Sequence, residues 1–284
     1  MQASKPSASA ETVTVVRAQL HRMGVVNDPF AESMLSARSR WLLRAFGLPV
    51  LRRYPRNATF SFLAARTRFF DETVTTALNA GVTQVVIVGA GYDSRAWRLA
   101  RPDVRFFEVD HPATQAEKRR RAPAGPGPVF VGCDLVDGDV VLALTACGLD
   151  PGACTVFVVE GLTMYLSEEV LCALFTALAR TSATGSQLAA NFTVDGGGSV
   201  SPLSRTVAWA KRAQWARGGE PTHQWVRPDA LNGFLAGCGW TVTETVLGPE
   251  LAARHLADSV IPTTGVSPGA ICVSTQRAAD YSSQ

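Results

Sequence analysis

The spacing of apolar residues along the chain changes its period near residue 82. Before that point, apolar residues recur at helical spacing in three sets, Val15 to Met23, Phe30 to Leu35 and Phe62 to Leu78. Asp28-Pro29 is a typical helix start, and Gly81 is a typical helix end. These patterns predict an N-terminal helical segment over residues 11–81, preceded by a polar, disordered tail at residues 1–10.

Beyond residue 82, short β-branched segments alternate with stretches of helical periodicity. Gln84 to Val88 ends at a glycine and is typical of a buried parallel strand. Further strands are predicted at 104–109, 128–132, 154–159 and 187–192, with helices at 93–99, 112–121, 138–147 and 167–180 between them. Strands joined by helices of this length imply right-handed crossovers. We therefore predict an α/β fold with a doubly wound, Rossmann-like sheet over residues 82–276.

The alternation is interrupted at residues 195–225. Three consecutive glycines, Gly196 to Gly198, precede a helical stretch at about 203–217. We interpret 195–225 as a helical lid insertion that covers the open edge of the sheet. A helix at 228–236 and two strands at 240–246 and 270–275 follow, and we expect these strands to form a closing, hairpin-like pair.

Charge and composition narrow the classes of partner. The net charge is only +3, and no basic stripe suited to nucleic acid is visible. The basic cluster Lys118 to Arg121 could bind phosphate, but a solvated helix end is the simpler interpretation. The first residues lack the apolar core of a signal peptide, and no apolar segment is long enough to span a membrane. Six widely spaced cysteines predict reduced thiols without a metal site, so we expect a cytoplasmic protein.

A glycine-rich turn follows the first predicted strand. Gly89-Ala90-Gly91 would let a ligand approach the backbone, although many such turns only connect elements. Ser94 replaces the third glycine of the dinucleotide fingerprint, and the acidic Asp93 would repel a diphosphate. These features disfavour NAD or FAD and favour a ligand with a cationic centre and no phosphate.

Acidic residues follow three later strands. Asp110 lies 19 residues beyond Gly91, where a carboxylate can accept both hydroxyls of a ribose, although a helix cap is the alternative. Asp134 and the backbone of Leu135 could meet an adenine ring, but this pair alone is generic. Glu160 would face the crevice of the sheet, near a sulfonium or ammonium group. Tyr165 could contact the acceptor oxygen of a substrate or belong to the core.

Five ordered segments together resemble a known family. They read FLAARTRFFDETV, VVIVGAGYDSRAWRL, FFEVDHP, CDL and VVEGLTMYL. In order and spacing they resemble the leucine carboxyl methyltransferase family, and in particular its bacterial branch of small-molecule O-methyltransferases, which includes polyketide carboxyl methyltransferases. With the DPF segment at 28–30, the resemblance spans about residues 12–245.

The resemblance implies a class I methyltransferase fold, S-adenosylmethionine as cofactor and methyl transfer to a carboxyl or hydroxyl oxygen. It implies that Arg66 clamps the methionine carboxylate, that Arg17 approaches the same end, and that Glu160 meets the amino-acid moiety. The remaining cofactor positions are Gly89, Ala90 and Gly91 under the cofactor, Asp110 at the ribose, and Asp134 and Leu135 at the adenine. The insertion is shorter than in the phosphatase-methylating members, which argues against a protein substrate.

The insertion carries the substrate-side candidates. Trp209, Trp215 and Trp225 could form an aromatic wall for an aromatic or polyketide-type small molecule, or could hold the insertion on the core. A carboxylate acceptor is already ionised at pH 7, whereas a phenol would benefit from a general base. His223 and Tyr165 are the candidates for that role. Two alternatives remain open: a family member that does not methylate, and a nicotinamide-dependent oxidoreductase.

Overall fold

The computed structural model describes residues 7–45, 58–193 and 228–279. The helices in these ranges are α1 (Ala8–Arg22), α2 (Ala37–Ala45), α3 (Ala58–Asn79), α4 (Arg95–Arg98), α5 (Pro112–Arg121), α6 (Val140–Ala146), α7 (Glu168–Arg180), α8 (Pro228–Gly237) and α9 (Gly248–Leu256). The strands are β1 (Gln84–Val88), β2 (Arg105–Asp110), β3 (Val129–Gly132), β4 (Thr155–Val159), β5 (Gln187–Thr193), β6 (Trp240–Leu247) and β7 (Ala270–Arg277).

The strands form one seven-stranded sheet in the order β3-β2-β1-β4-β5-β7-β6. The first five strands are parallel, and β7 runs antiparallel to both β5 and β6. The order reverses between β1 and β4, so the carboxyl ends of these strands border the crevice where ligands of such sheets bind. The predicted α/β fold with a doubly wound, Rossmann-like sheet is confirmed.

Alternating side chains of the central strands divide the core into two layers. Val86 and Phe157 belong to the layer that α6, α7 and α8 cover. Val85 and Val156 belong to the opposite layer, which α3 and α9 cover. Every residue of β1 and β4 is buried, and after their first residues, Gln84 and Thr155, both strands are continuously apolar instead of alternating with polar residues. This packing fixes the backbone from which the crevice residues project.

The N-terminal prediction of a helix starting at Asp28-Pro29 is wrong. Residues 29–35 form turns, and the next helix begins at Ala37. Asp28 therefore does not cap a helix. Its carboxylate instead accepts a hydrogen bond from Ser94 Oγ at 2.6 Å. Ala31 and Leu35 are nevertheless fully buried, since they pack against α1 and α2. The predicted disordered tail at residues 1–10 is also too long. Helix α1 already begins at Ala8, and Ser7 Oγ caps its first turn by accepting from the Ala10 N–H.

Two further elements differ from the sequence expectations. Strands β6 and β7 pair as predicted, but the segment of chain that joins them contains a helix, α9, that was not predicted. This helix buries Leu251 and Leu256 against α3, which explains why it forms. The helix expected at 93–99 has only four residues. The predicted insertion at 195–225 lies outside the described residues, and within the described ranges no helix is long and apolar enough to cross a membrane.

The basic cluster at the end of α5 is only in part the solvated helix end of the simpler interpretation, with Arg119 and Arg120 exposed. Lys118 is 1% exposed, and its Nζ lies 2.6 Å from Oε2 of the fully buried Glu108. Burial raises the pKa of Glu108 to about 7, although Lys118 opposes this shift. Arg121 pairs with Glu117 and donates to the Met34 carbonyl at 3.0 Å. Internal partners therefore engage two members of the cluster.

Candidate functional site

The turn after β1 requires its two glycines. Gly89 and Gly91 have φ values of 67° and 48°. A Cβ on Gly89 would lie 2.9 Å from Leu162 Cδ1, and one on Gly91 would lie 2.9 Å from Ala10 Cβ. The N–H groups of Gly89 and Ala90 both donate to the Val109 carbonyl, at 2.8 and 3.1 Å. The turn is therefore fixed against the end of β2.

Asp110, the last residue of β2, is bound to this turn. Its Oδ2 accepts from the Gly91 N–H at 2.6 Å, and its Oδ1 accepts from the His111 N–H at 2.6 Å. Burial raises the pKa of Asp110, although both N–H groups oppose the shift. Because each carboxylate oxygen has two lone pairs, Asp110 can still accept further hydrogen bonds.

Asp134 and Leu135 lie just beyond β3, the neighbour of β2. Asp134 Oδ1 accepts from the Val136 N–H at 3.0 Å, and Oδ2 lies 4.0 Å from His111 Nε2. Leu135 is partly buried against the core layer of α6 and α7. His111 caps α5 through Nδ1, which accepts from the Ala113 N–H, as expected of a residue at a helix start.

Arg66 and Glu160 form a buried ion pair at the end of β4. Arg66 Nε donates to Glu160 Oε1 at 2.9 Å, and the side chains are 8% and 7% exposed. Burial would raise the pKa of Glu160, but Arg95 and Arg66 hold it below its ordinary value. Among the described residues, no hydrogen bond engages Nη1 or Nη2 of Arg66. This edge of the guanidinium therefore remains available to an anionic ligand.

The structure pairs Asp93 with arginine, which sequence reasoning missed. Arg95 Nη1 lies 2.5 Å from Asp93 Oδ2, and Arg17 Nη1 lies 3.8 Å from the same oxygen. Burial would raise the pKa of Asp93, but Arg95 and Arg17 hold it well below its ordinary value. These ion pairs offset the charge of Asp93 and so weaken the argument that Asp93 would repel a diphosphate. Ser94 at the third glycine position remains the observation against the dinucleotide fingerprint.

Arg17 projects from α1 toward the same turn but has other partners than Arg66. It is 4% exposed, donates to the Tyr92 carbonyl and lies 3.3 Å from Asp28. Its described contacts thus join α1 to the segment that follows Gly91.

Side-chain contacts bring several of the predicted residues together, whereas Leu135 packs against the hydrophobic core. Arg66 contacts Glu160, Arg95 joins Glu160 to Asp93 in the turn, and Asp110 binds the Gly91 N–H. Cationic and anionic side chains therefore meet at the carboxyl end of the sheet, where β1, β2 and β4 end.

The chain is similar to one protein family over most of its length. Residues 10–179 match the family model described as leucine carboxyl methyltransferase. A putative S-adenosyl-L-methionine-dependent methyltransferase of Streptomyces coelicolor is 33% identical over 261 residues, which are 88% of this chain and 87% of that protein. A protein of the same description from Mycobacterium tuberculosis is 33% identical over 282 residues, 89% of this chain and 88% of that protein. The chain belongs to the leucine carboxyl methyltransferase family.

Solved structures agree with this fold. A protein of Thermobifida fusca described as a putative methyltransferase superposes with a TM-score of 0.63 at 17% identity, over 98% of this chain and 97% of that chain. A protein of Streptomyces avermitilis, described as a member of a family of unknown function, gives a TM-score of 0.59 at 14% identity. The superposition covers 94% of this chain and 97% of that chain. The predictions of the family, of a methyltransferase and of S-adenosylmethionine as its cofactor are confirmed at the level of the family.

In this leucine carboxyl methyltransferase family member, Asn191 of β5 holds the loop after Glu160. Its Oδ1 accepts from the Gly161 N–H at 2.6 Å, and its carbonyl accepts from Thr163 Oγ1 at 2.7 Å. The loop continues into a 3₁₀ turn at Thr163–Tyr165, where Tyr165 is partly buried. Sequence reasoning missed Asn191, and its only signal is a polar residue inside an apolar strand.

Most of the substrate-side candidates belong to the predicted insertion. His223 and the three tryptophans of the insertion, Trp209, Trp215 and Trp225, lie outside the described residues. Of the two predicted catalytic residues, only Tyr165 is therefore described, five residues beyond Glu160 in the chain.

Proposed function

We propose that this protein is an S-adenosylmethionine-dependent O-methyltransferase that acts on a carboxyl or hydroxyl oxygen of a small molecule of aromatic or polyketide type. The observation that carries the proposal is the buried Arg66–Glu160 pair beside the glycine turn that Asp110 binds. The groups of S-adenosylmethionine are complementary to these residues at the carboxyl end of the sheet. Its α-carboxylate suits an arginine, and its α-ammonium group and ribose hydroxyls suit the two carboxylates.

The residues present fit this cofactor. Arg66, with its Nη edge available, would hold the carboxylate, and Arg17 would add positive charge at that end. Glu160 would accept from the ammonium group. Its Oε2 is buried and, although 2.6 Å from Arg95 Nη1, has no hydrogen bond of normal geometry. The compensated charges of the Arg66–Glu160 pair favour a zwitterion over a simple anion.

The nucleoside half would occupy the ends of β2 and β3. Asp110 would accept from the ribose hydroxyls, while Asp134 and the Leu135 backbone would meet the adenine ring. The Gly89-Ala90-Gly91 turn would lie beneath the cofactor, since its lack of large side chains allows close approach.

When bound, S-adenosylmethionine would supply a methyl group carried on a cationic sulfur. The acceptor oxygen would attack the methyl carbon in line, so that a C–O bond forms while the C–S bond breaks and the sulfur leaves as a neutral thioether. The role of the protein is then to align the acceptor oxygen and to exclude water. A carboxylate acceptor requires no base at pH 7. A phenol, with a pKa of about 10, would benefit from one, and Tyr165 and His223 are the proposed candidates.

The test is incubation of the protein with S-adenosylmethionine and a panel of aromatic carboxylic acids and phenols, followed by mass spectrometry. We expect S-adenosylhomocysteine to form together with a product heavier by one CH2 unit, because the transferred methyl group replaces a hydrogen. Mild alkaline hydrolysis then distinguishes the two acceptors, because it cleaves a methyl ester and spares an aryl methyl ether. A cofactor-bound cyclase or a non-catalytic family member would give no methylated product. An oxidoreductase would bind NAD and not S-adenosylhomocysteine.

Asp110→Asn is expected to weaken the binding of every ligand that contains the ribose. The loss should be about 10- to 100-fold, because hydrogen bonds to a charged acceptor are replaced by weaker ones to an amide. Titration calorimetry should give the same loss for S-adenosylhomocysteine and for 5′-methylthioadenosine, which has the nucleoside but no amino acid. Asp139→Asn is the matched control, since Asp139 caps α6 away from these contacts. An unchanged affinity in Asp110→Asn would remove the ribose role.

A further inference from the structure

Arg95 is a fully buried charged residue near the proposed cofactor site. It is 0% exposed, follows the glycine turn and starts the four-residue helix α4. Its guanidinium lies over the Phe70 ring at 5.7 Å. A charge in such a place is stable only when opposite charges and hydrogen bonds surround it. Its partners therefore show what the residue holds in place.

Three carboxylates surround Arg95, and each belongs to a different element. Nε donates to Asp71 Oδ1 of α3 at 2.7 Å, and Nη1 lies 2.5 Å from Asp93 Oδ2 in the glycine turn. The same Nη1 lies 2.6 Å from Oε2 of Glu160 at the end of β4. Arg95 thereby connects the helix that carries Arg66, the turn and the end of β4.

Glu160 is consequently shared between two arginines. Its Oε1 accepts from Arg66 Nε, while its Oε2 faces Arg95 Nη1. Without Arg95, the carboxylate would be free to rotate and to form a two-oxygen pair with Arg66, which arginine geometry favours. Such a pair would occupy the Nη edge of Arg66 that a ligand carboxylate needs.

We infer that Arg95 is a positioning residue for the amino-acid end of the cofactor: by holding Glu160 and Asp93, it keeps the Nη edge of Arg66 available to the ligand carboxylate. This inference rests on the proposed function. It predicts that loss of Arg95 affects only ligands that carry the amino acid, because the nucleoside contacts lie at β2 and β3.

The experiment compares Arg95→Lys with wild type in calorimetric titrations of S-adenosylhomocysteine and 5′-methylthioadenosine. We expect affinity for S-adenosylhomocysteine to fall about tenfold or more, since small displacements of aligned groups are costly. Affinity for 5′-methylthioadenosine should stay within about threefold. A general loosening of the fold would instead weaken both ligands equally.

Arg98→Lys is the matched control. Arg98 lies on the same short helix, is almost fully buried and also pairs with Asp71, at 2.7 Å. Its described partners do not include Glu160 or Asp93. Arg98→Lys should therefore keep both affinities within about threefold of wild type, as expected for sites that share no ligand contact.

Asp71→Asn decides the question if Arg95→Lys does not fold. Asp71 is partly exposed and anchors Arg95 from outside the site. Its replacement should weaken S-adenosylhomocysteine selectively, and by more than Arg98→Lys does. Equal effects on both ligands, or no effect on either, would overturn the role of Arg95. If the wild-type protein bound neither ligand, the proposed cofactor site itself would be wrong, and the inference would fall with it.

Discussion

Arg66→Ala should weaken binding of S-adenosylhomocysteine by about 2–4 kcal/mol, or about 30- to 1,000-fold, because it leaves the ligand carboxylate unpaired in a buried site. Arg66 is 6% exposed, and its contact with Glu160 is made through Nε. Isothermal titration calorimetry measures the loss. The affinity for 5′-methylthioadenosine should change little, since that ligand has no carboxylate.

Arg68→Ala is the control for this prediction. Arg68 lies on the same helix but donates to backbone carbonyls, those of Val25 and His255, away from Glu160. It should leave the affinity for both ligands unchanged. If Arg66→Ala bound S-adenosylhomocysteine as tightly as wild type, Arg66 would not be the carboxylate clamp. A matching loss for 5′-methylthioadenosine would point to a purely structural role.

Lys118→Met should lower the free energy of unfolding by about 3–5 kcal/mol at pH 8, because it leaves Glu108 buried without its partner. In wild type, burial raises the pKa of Glu108 to about 7, above its ordinary value of 4.5. The folded state therefore binds an extra proton between these pH values, and this group favours folding more as the pH falls from about 7 to about 4.5. The loss in Lys118→Met should accordingly be smaller at pH 5.5, where Glu108 is protonated.

Urea unfolding at both pH values measures this difference. The double variant Lys118→Met/Glu108→Leu should recover to within about 1 kcal/mol of wild type or better, since apolar residues can replace a buried ion pair. Arg120→Met, at an exposed position of the same helix, should change stability by less than about 0.5 kcal/mol. An equal loss at pH 8 and pH 5.5 in Lys118→Met would contradict the assigned charge of Glu108.

The sequence by itself determined the sheet and the positions of the candidate site residues at the ends of its strands. The strand Gln84–Val88 forms because its residues from Val85 to Val88 are continuously apolar, and a strand covered on both faces requires this pattern. Helix α5 has the predicted bounds, Pro112–Arg121, because a proline at its start and polar residues along its length are strong local signals. Asp110 and Glu160 were predicted as site residues because an acid at the end of a predicted strand is visible in the sequence; Asp110 is the last residue of β2, and Glu160 directly follows β4.

Only the tertiary structure decided which partner each charged residue has. Lys118 looks like part of a solvated cluster, yet its partner Glu108 comes from a strand packed beneath the helix. Asp28 looks like a helix cap, yet Ser94 binds it from 66 residues away. Local propensity cannot anticipate these pairs, because the free energy of a buried charge depends on neighbours that the fold brings together from distant parts of the chain. The same reason explains why Arg95, an ordinary residue in the sequence, lies at the centre of three carboxylates in the folded protein.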